Sequence, residues 1–113
     1  MQNHDESAKF IHELLNCTPA MRDALLKFDK AVFDEHTGSL DLLVRELIAV
    51  GVAVTTQCNF CIADHAKRAV KAGASRQQIA EAVMVATALR AGGGVVHGGH
   101  AMKAISDQIR HPL

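Results

Sequence analysis

The chain has 113 residues, about the length of one domain, and its 12 basic and 12 acidic side chains balance to zero net charge. A balanced charge argues against nucleic acid or an anionic membrane as a partner. The longest apolar run, Leu47 to Val54, is too short to span a membrane, and the N-terminus lacks the pattern of a secretory signal. We therefore expect no membrane partner and a cytoplasmic location.

The N-terminal third predicts two amphipathic helices. Ser7 can cap the first helix, which is expected to end near Asn16 because a proline follows. Thr18 followed by Pro19 is a typical helix start, and the second helix is expected to close at Gly38. Apolar side chains recur at helical spacing in both segments, namely Phe10, Ile11, Leu14, Leu15, Met21, Leu25, Phe28 and Val32.

The third predicted helix, LDLLVRELIAVGVAVTT, is apolar on nearly every side and begins after Ser39, which can cap it. A helix without a polar face has to be enclosed by its own domain or by a neighbouring subunit, so a homo-oligomer is expected. Glu46 lies in the middle of this helix, where an unpaired carboxylate is costly. A partner for it is therefore predicted, and the candidates are Arg45, Arg90 and His65.

Three more helices are predicted after the third. The fourth runs from about Cys58 to Ala72, and a capping box of Ser75 and Gln78 opens the fifth. The glycine run 92–94 is expected to end the fifth helix, and a sixth follows it. No segment alternates apolar and polar residues with the period of a strand. The fold class is therefore predicted as all-α, with about six helices.

The domain organisation follows from the absence of a linker or an internal repeat. We predict a single domain over residues 1–113, with N-terminal helices in 1–37 and a motif-bearing core in 38–105. The glycine-rich stretch GGGVVHGG does not have the spacing of a dinucleotide-binding or phosphate-binding loop, so no cofactor is predicted.

The chemistry is concentrated in the stretch CNFCIADH, which begins with Cys58 and contains Cys61 and His65. On a helix these three side chains share one face, because steps of three and seven residues turn the chain by about 300 and 700 degrees. Cys58 and His65 would then lie about 10 Å apart along the axis, which is long for a shared metal ion. Alpha carbons one helical turn apart do suit a disulfide.

An activated thiol is the interpretation that these residue types favour. A thiol near a helix N-terminus and one turn from an imidazole has an increased thiolate fraction, and His65 is four residues after Cys61. If the carboxylate of Glu46 also contacts His65, the three groups form the orienter, base and nucleophile of a reactive cysteine. The odd, sparse count of three cysteines agrees with a reducing compartment and not with a secreted disulfide scaffold.

Two other interpretations follow from the same residues. A zinc-binding module would combine Cys61 and His65 with His97 and His100 of the HGGH stretch. A non-catalytic helical assembly protein would use the glycine run only for close helix packing. Cys17 is assigned no role.

The pattern E-x11-C-x-x-C-x-x-x-H, formed by Glu46, Cys58, Cys61 and His65, resembles the AhpD-like alkylhydroperoxidases of the carboxymuconolactone decarboxylase superfamily. The resemblance covers roughly residues 38–105. It implies an all-helical trimer or hexamer whose thiol pair reduces hydroperoxides, with an external dithiol or a disulfide-reducing protein as the reductant. It also implies that Cys61 becomes the sulfenic acid, that Cys58 donates a proton and resolves it, and that Glu46 and His65 form a proton relay.

One position departs from the pattern of this family. Phe60 stands where the better-studied alkylhydroperoxidases carry a histidine between the cysteines, so a slower peroxide reaction is expected. Other members of the superfamily decarboxylate a lactone without a cysteine pair, which is an alternative activity. The CxxC motif favours the thiol chemistry.

Overall fold

The structure is a computed structural model that describes residues 4–110, with side chains from residue 6 onward. Within this range the regular secondary structure is entirely helical, which confirms the all-α prediction. The described residues form five helices: α1 His4–Asn16, α2 Pro19–Val32, α3 Leu42–Thr56, α4 Asn59–Lys71 and α5 Arg76–Arg110.

The prediction of separate fifth and sixth helices is wrong, because α5 continues through the glycine run as one helix of 35 residues. Glycine lowers helix stability by about 1 kcal/mol relative to alanine, but unlike proline it removes no hydrogen bond and introduces no clash. Among the described glycines, only Gly38 and Gly73 have a positive φ, so the glycines within α5 keep ordinary helical backbone angles. The glycines therefore weaken α5 without interrupting it.

The continuity of α5 also bears on the membrane prediction. By length and composition alone, this helix would pass for a membrane span, and none of its most apolar window is buried. A single helix with these properties does not identify a membrane protein. That the protein has no membrane partner stays a prediction.

The boundaries of α1 and α2 differ from those expected. Ser7 lies inside α1 and does not precede it. Thr18 precedes α2 with a proline in the first turn, as predicted, but its hydroxyl donates back to the carbonyls of Leu14 and Leu15 and does not cap α2. The hydroxyl is therefore used to close α1.

The connection after α2 is longer than predicted. The helix ends at Val32 and not at Gly38, and α3 is preceded by Asp41 and not by Ser39. A side-chain oxygen of Asp34 accepts a hydrogen bond from the backbone N–H of His36 at 2.9 Å, which is a turn that competes with helix. The chain therefore leaves the helix several residues before the glycine.

The contacts divide the chain into two compact units, one up to Ser39 and one from Leu40 onward. In the first unit α1 packs against α2. In the second unit α3 packs against both α4 and α5, so it is the central helix of that unit. The buried apolar side chains of the described chain are few: Val50, Ala53, Ala69 and Ala74.

The apolar third helix is only partly enclosed by its own unit. Val50 and Ala53 are buried, whereas Val44, Ile48 and Val52 are between 40% and 55% exposed. These three residues border an open apolar groove of about 590 Å³ between α3 and α5. The sequence predicts that α3 is enclosed by its own domain or by a neighbouring subunit. The chain's own unit covers only one side of α3.

The start of α5 agrees with the predicted capping box. The backbone N–H of Gln78 donates to the Ser75 hydroxyl at 3.1 Å, and the Gln78 side chain accepts from the N–H of Ser75 at 2.9 Å. Just before it, Gly73 ends α4 with a φ of +107°, while its N–H donates to the carbonyl of Val70. Gly73 is therefore the left-handed glycine that follows the last residues of α4 and ends the helix, as the sequence predicts.

Substituting alanine at Gly73 and at Gly93 is expected to change stability in opposite directions. Gly73→Ala forces an L side chain into a positive φ and should lower the free energy of unfolding by about 1 kcal/mol or more. Gly93→Ala is the matched control: Gly93 is helical with open space around its would-be Cβ, so the same change should raise that free energy by up to about 1 kcal/mol. Urea unfolding of both variants measures the two values, and a stabilised Gly73→Ala would contradict the assigned C-cap.

Candidate active site

The cysteine pair lies at the N-terminus of α4. Cys58 is the N-cap residue with an extended backbone, φ −90° and ψ 98°, and Cys61 lies in the first turn. The two residues form a disulfide with alpha carbons 5.2 Å apart. The Cys58 sulfur also accepts a hydrogen bond from the backbone N–H of Cys61 at 3.3 Å. One cysteine is therefore just outside the helix, and the other is inside it.

A tight turn positions this pair. α3 ends at Thr56, and α4 begins at Asn59, so only two residues connect them. The first of these, Gln57, has a left-handed backbone with φ 57°, and the N–H of Cys58 donates to the carbonyl of Ala53 at 3.1 Å. The chain reverses here, and α4 packs against α3. The site is therefore built from two consecutive helices.

Glu46 of α3 is the buried centre of the site. Its side chain is 1% exposed, and one carboxylate oxygen lies 2.6 Å from Nδ1 of His65. The other oxygen lies 3.2 Å from Nε of Arg68. Both partners come from α4, so the structure brings together the carboxylate and the imidazole that the sequence singled out. A buried carboxylate with a partner on each oxygen avoids the cost of an unpaired charge.

Arg68 is the residue that the sequence analysis missed. It lies one turn after His65 on α4, and its Nη1 is 3.4 Å from a carboxylate oxygen of the exposed Asp64. The spacing of three residues from His65 was a signal, because such residues share a helix face. The arginines proposed for Glu46 make other contacts: Arg45 donates to the carbonyl of Leu40 and Arg90 to that of Thr55.

The contact with Glu46 orients the imidazole. A carboxylate next to Nδ1 favours the tautomer that carries its proton on Nδ1, and the lone pair then lies on Nε2. His65 is four residues after Cys61 on the same helix and its side chain is 15% exposed. The arrangement can therefore hold a base one helical turn from a thiol.

The zinc alternative finds no cluster of ligands in residues 4–110. No group of three or more His, Cys, Asp or Glu side chains converges within that part of the chain. His97 and His100 lie side by side on α5, with ring centroids 5.7 Å apart, and both residues are exposed. Cys17 is an exposed free thiol.

Comparison with known proteins places these features in a family context. The model of the carboxymuconolactone decarboxylase family matches residues 19–104. A protein of Paracoccus denitrificans named uncharacterized protein 4 in cox locus is 45% identical over 87 residues, which are 77% of this chain and 76% of that protein. An uncharacterized protein of Cupriavidus necator is 33% identical over 84 residues, 74% of this chain and 73% of its own length.

Solved structures share the fold. A crystal structure from Methanobacterium thermoautotrophicum superposes with a TM-score of 0.71 at 30% identity and covers 78% of this chain and 97% of that one. A carboxymuconolactone decarboxylase family protein from Legionella pneumophila superposes with a TM-score of 0.66 at 24% identity, over 91% of this chain and 90% of the other. At this lower identity, the similarity shows a shared fold only.

Proposed function

Because the chain belongs to the carboxymuconolactone decarboxylase family, we propose that it acts as the variant of this fold that works through a cysteine pair, a thiol-dependent reductase of hydroperoxides. The observation that supports this best is the disulfide between Cys58 and Cys61, one helical turn from a histidine that a buried carboxylate orients. A decarboxylase of a lactone has no use for two sulfurs that interconvert between dithiol and disulfide.

The first step consumes one hydroperoxide. The Cys61 thiolate attacks the outer oxygen of the peroxide, the O–O bond breaks, and Cys61 becomes a sulfenic acid. The other oxygen leaves as an alkoxide or hydroxide and takes a proton from the Cys58 thiol or from the His65 ring. The sulfur is oxidised by two electrons, and the hydroperoxide is reduced to an alcohol or water.

The second step forms the disulfide that the structure contains. The Cys58 sulfur attacks the sulfur of the sulfenic acid, a bond forms between the two sulfurs, and hydroxide leaves and is protonated to water. An external dithiol or a disulfide-reducing protein then attacks the disulfide by thiolate exchange and is itself oxidised. The net reaction converts one hydroperoxide and one external dithiol into an alcohol, a water molecule and an external disulfide.

Glu46 and His65 support this cycle as a proton relay. The carboxylate holds the proton on Nδ1, so that Nε2 can receive the thiol proton and later return it to the leaving oxygen. Because Glu46 is bound by Arg68 as well, its position is fixed by two contacts from α4. The same two helices, α3 and α4, therefore position both the proton relay and the cysteine pair.

A thiol titration tests the proposed function directly. We expect the dithiothreitol-reduced protein to show three titratable thiols and the protein treated with an alkyl hydroperoxide to show one, because Cys17 is a free cysteine outside the pair. Renewed dithiothreitol should restore all three. The Cys17→Ser protein is the control and should go from two thiols to none. Thiol counts that hydroperoxide leaves unchanged would refute a redox-active pair.

A further inference from the structure

The cysteine pair lies between the ends of two helices. α3 ends at Thr56 and α4 begins at Asn59, with Gln57 and Cys58 between them. Each helix carries a macrodipole, with a partial positive charge at its N-terminus and a partial negative charge at its C-terminus. The N-terminus of α4 therefore stabilises a thiolate on Cys58 or Cys61, whereas the C-terminus of α3 destabilises it.

The last carbonyl groups of α3 are the source of that negative charge. The carbonyl of Ala53 accepts a hydrogen bond from the backbone N–H of Cys58 at 3.1 Å, so Cys58 lies directly against the last turn of α3. The carbonyl of Thr55, in the same turn, accepts from a side chain: Nη1 of Arg90 donates to it at 3.2 Å. A guanidinium is therefore bound to the end of α3 that contacts Cys58.

Arg90 reaches this carbonyl from α5. It lies 35 positions after Thr55 in the sequence, and it is the only charged residue of the described chain that lines the apolar groove between α3 and α5. Within residues 4–110, no carboxylate forms an ion pair with Arg90. In that part of the chain, its positive charge is therefore not neutralised by a neighbouring acid.

The charged groups that α3 and α4 contribute to the site pair with one another. Glu46 of α3 contacts His65 at 2.6 Å and Arg68 at 3.2 Å, and Asp64 of α4 lies 3.4 Å from Arg68. Arg90 is the charge that α5 adds, and it binds a backbone carbonyl and not this network. A substitution of Arg90 therefore removes a charge near the cysteine pair while Glu46 and His65 keep their contact.

We propose that Arg90 is a positioning residue for the cysteine pair, which offsets the negative end of α3 and so increases the thiolate fraction of the reduced pair. A cation at a helix C-terminus interacts favourably with the last carbonyl groups, and it lowers the local negative potential there. This role rests on the proposed function, because the thiolate is the form that attacks a hydroperoxide or a disulfide.

Alkylation of the reduced pair by iodoacetamide at a series of pH values measures the effect of Arg90. In the Cys17→Ser background, Arg90→Gln should move the midpoint of the alkylation profile to higher pH by roughly 0.2 to 0.7 units, the size of an interaction between one charge and a helix terminus. Glutamine still has an N–H that can donate to the carbonyl of Thr55. Arg90→Lys keeps the charge, so its midpoint should stay close to that of the Cys17→Ser parent.

Arg45 provides a matched control at the other end of α3. Its Nε donates to the carbonyl of Leu40 at 3.0 Å, so it also joins an arginine side chain to a backbone carbonyl. Along the helix axis, Arg45 lies about 20 Å from Cys58, which is about twice the screening length of roughly 10 Å in 0.1 M salt. Arg45→Gln should therefore leave the alkylation midpoint unchanged.

Ionic strength separates an effect of charge from the loss of a structural contact. The difference between Arg90→Gln and its parent should shrink as the salt concentration is raised towards about 1 M, where the screening length is about 3 Å. If Arg90→Gln does not fold, Arg90→Met takes its place, since an apolar side chain suits the groove that Arg90 borders. The same shift to higher pH is expected, because both variants lack the charge.

Two results would overturn this role of Arg90. One is an alkylation midpoint that does not distinguish the neutral variant from the parent and from Arg90→Lys. The other is a shift that persists unchanged in 1 M salt, which would leave Arg90 a purely structural contact. Because alkylation uses no hydroperoxide, both results are independent of peroxidase activity, whereas the proposed function fails separately if hydroperoxide leaves the thiol count unchanged.

Discussion

We expect Cys61→Ser to lower the rate of hydroperoxide turnover by at least about a thousand-fold, because a hydroxyl one turn from His65 cannot form the sulfenic acid. Cys58→Ser should also slow steady-state turnover, but it should still consume one equivalent of hydroperoxide in a fast first phase, since Cys61 is oxidised and the pair has no second thiol to resolve the sulfenic acid. Stopped-flow consumption of an alkyl hydroperoxide separates the two results. Cys17→Ser is the control and should turn over like the wild type.

Finding which cysteine becomes the sulfenic acid tests the assigned roles more directly than the turnover rate does. The two cysteines are placed differently: Cys61 lies one helical turn before His65 on α4, whereas the Cys58 sulfur accepts the N–H of Cys61 at the start of the helix. A helix N-terminus stabilises a thiolate, so the local contact of Cys58 favours a reactive sulfur there as well. Trapping with dimedone, followed by mass spectrometry, should label Cys61 in Cys58→Ser. Faster labelling of Cys58 in Cys61→Ser than of Cys61 in Cys58→Ser would reverse the assigned roles.

The contact between Glu46 and His65 is the part of the site that the sequence predicted best. An acidic residue in the middle of an apolar helix has to find a partner, and the spacing of four residues between Cys61 and His65 defined which face of the next helix carries it. Arg68 shares that face. It was missed because it belongs to no motif and lies outside the E-x11-C-x-x-C-x-x-x-H pattern.

The helix count shows where local sequence signals fail. Glycine propensity is a small energy per residue, and neighbouring turns outweigh it when the flanking sequence favours helix. Residues 92–94 therefore lie within α5. By contrast, the capping box of Ser75 and Gln78 was predicted correctly, because it depends on two specific hydrogen bonds between nearby residues.

The enclosure of α3 depends on information that a single chain does not contain. Its sequence requires burial on most sides, yet Ile48 and Val52 remain more than half exposed within the described chain. Periodicity identifies which side chains need covering, but not which surface covers them.

Glu46→Gln is expected to slow the oxidation of the cysteine pair by about 10 to 100-fold, the range typical for loss of a group that orients a functional histidine. The amide keeps the size of the carboxylate but can no longer pair with Arg68, and it weakens the preference for a proton on Nδ1 of His65. The free energy of unfolding should fall by about 1 to 3 kcal/mol, because polar groups next to a fully buried side chain lose their charged partner. Stopped-flow oxidation and urea unfolding measure the two effects.

Arg68→Gln and Asp64→Asn separate the orienting role of Glu46 from its structural role. Arg68→Gln leaves Glu46 buried with only the His65 imidazole as its partner, so we expect a stability loss similar to that of Glu46→Gln but a smaller loss of rate, since the His65 contact is kept. Asp64 is 63% exposed and 3.4 Å from Arg68, so Asp64→Asn should change stability by less than about 0.5 kcal/mol. In the double variant of Glu46 and Arg68, the stability losses should be clearly less than additive, because the two residues share one ion pair. Additive losses, together with an oxidation rate that Glu46→Gln leaves unchanged, would show that this carboxylate neither pairs with Arg68 nor orients the base, and the relay would then have to be assigned to other groups.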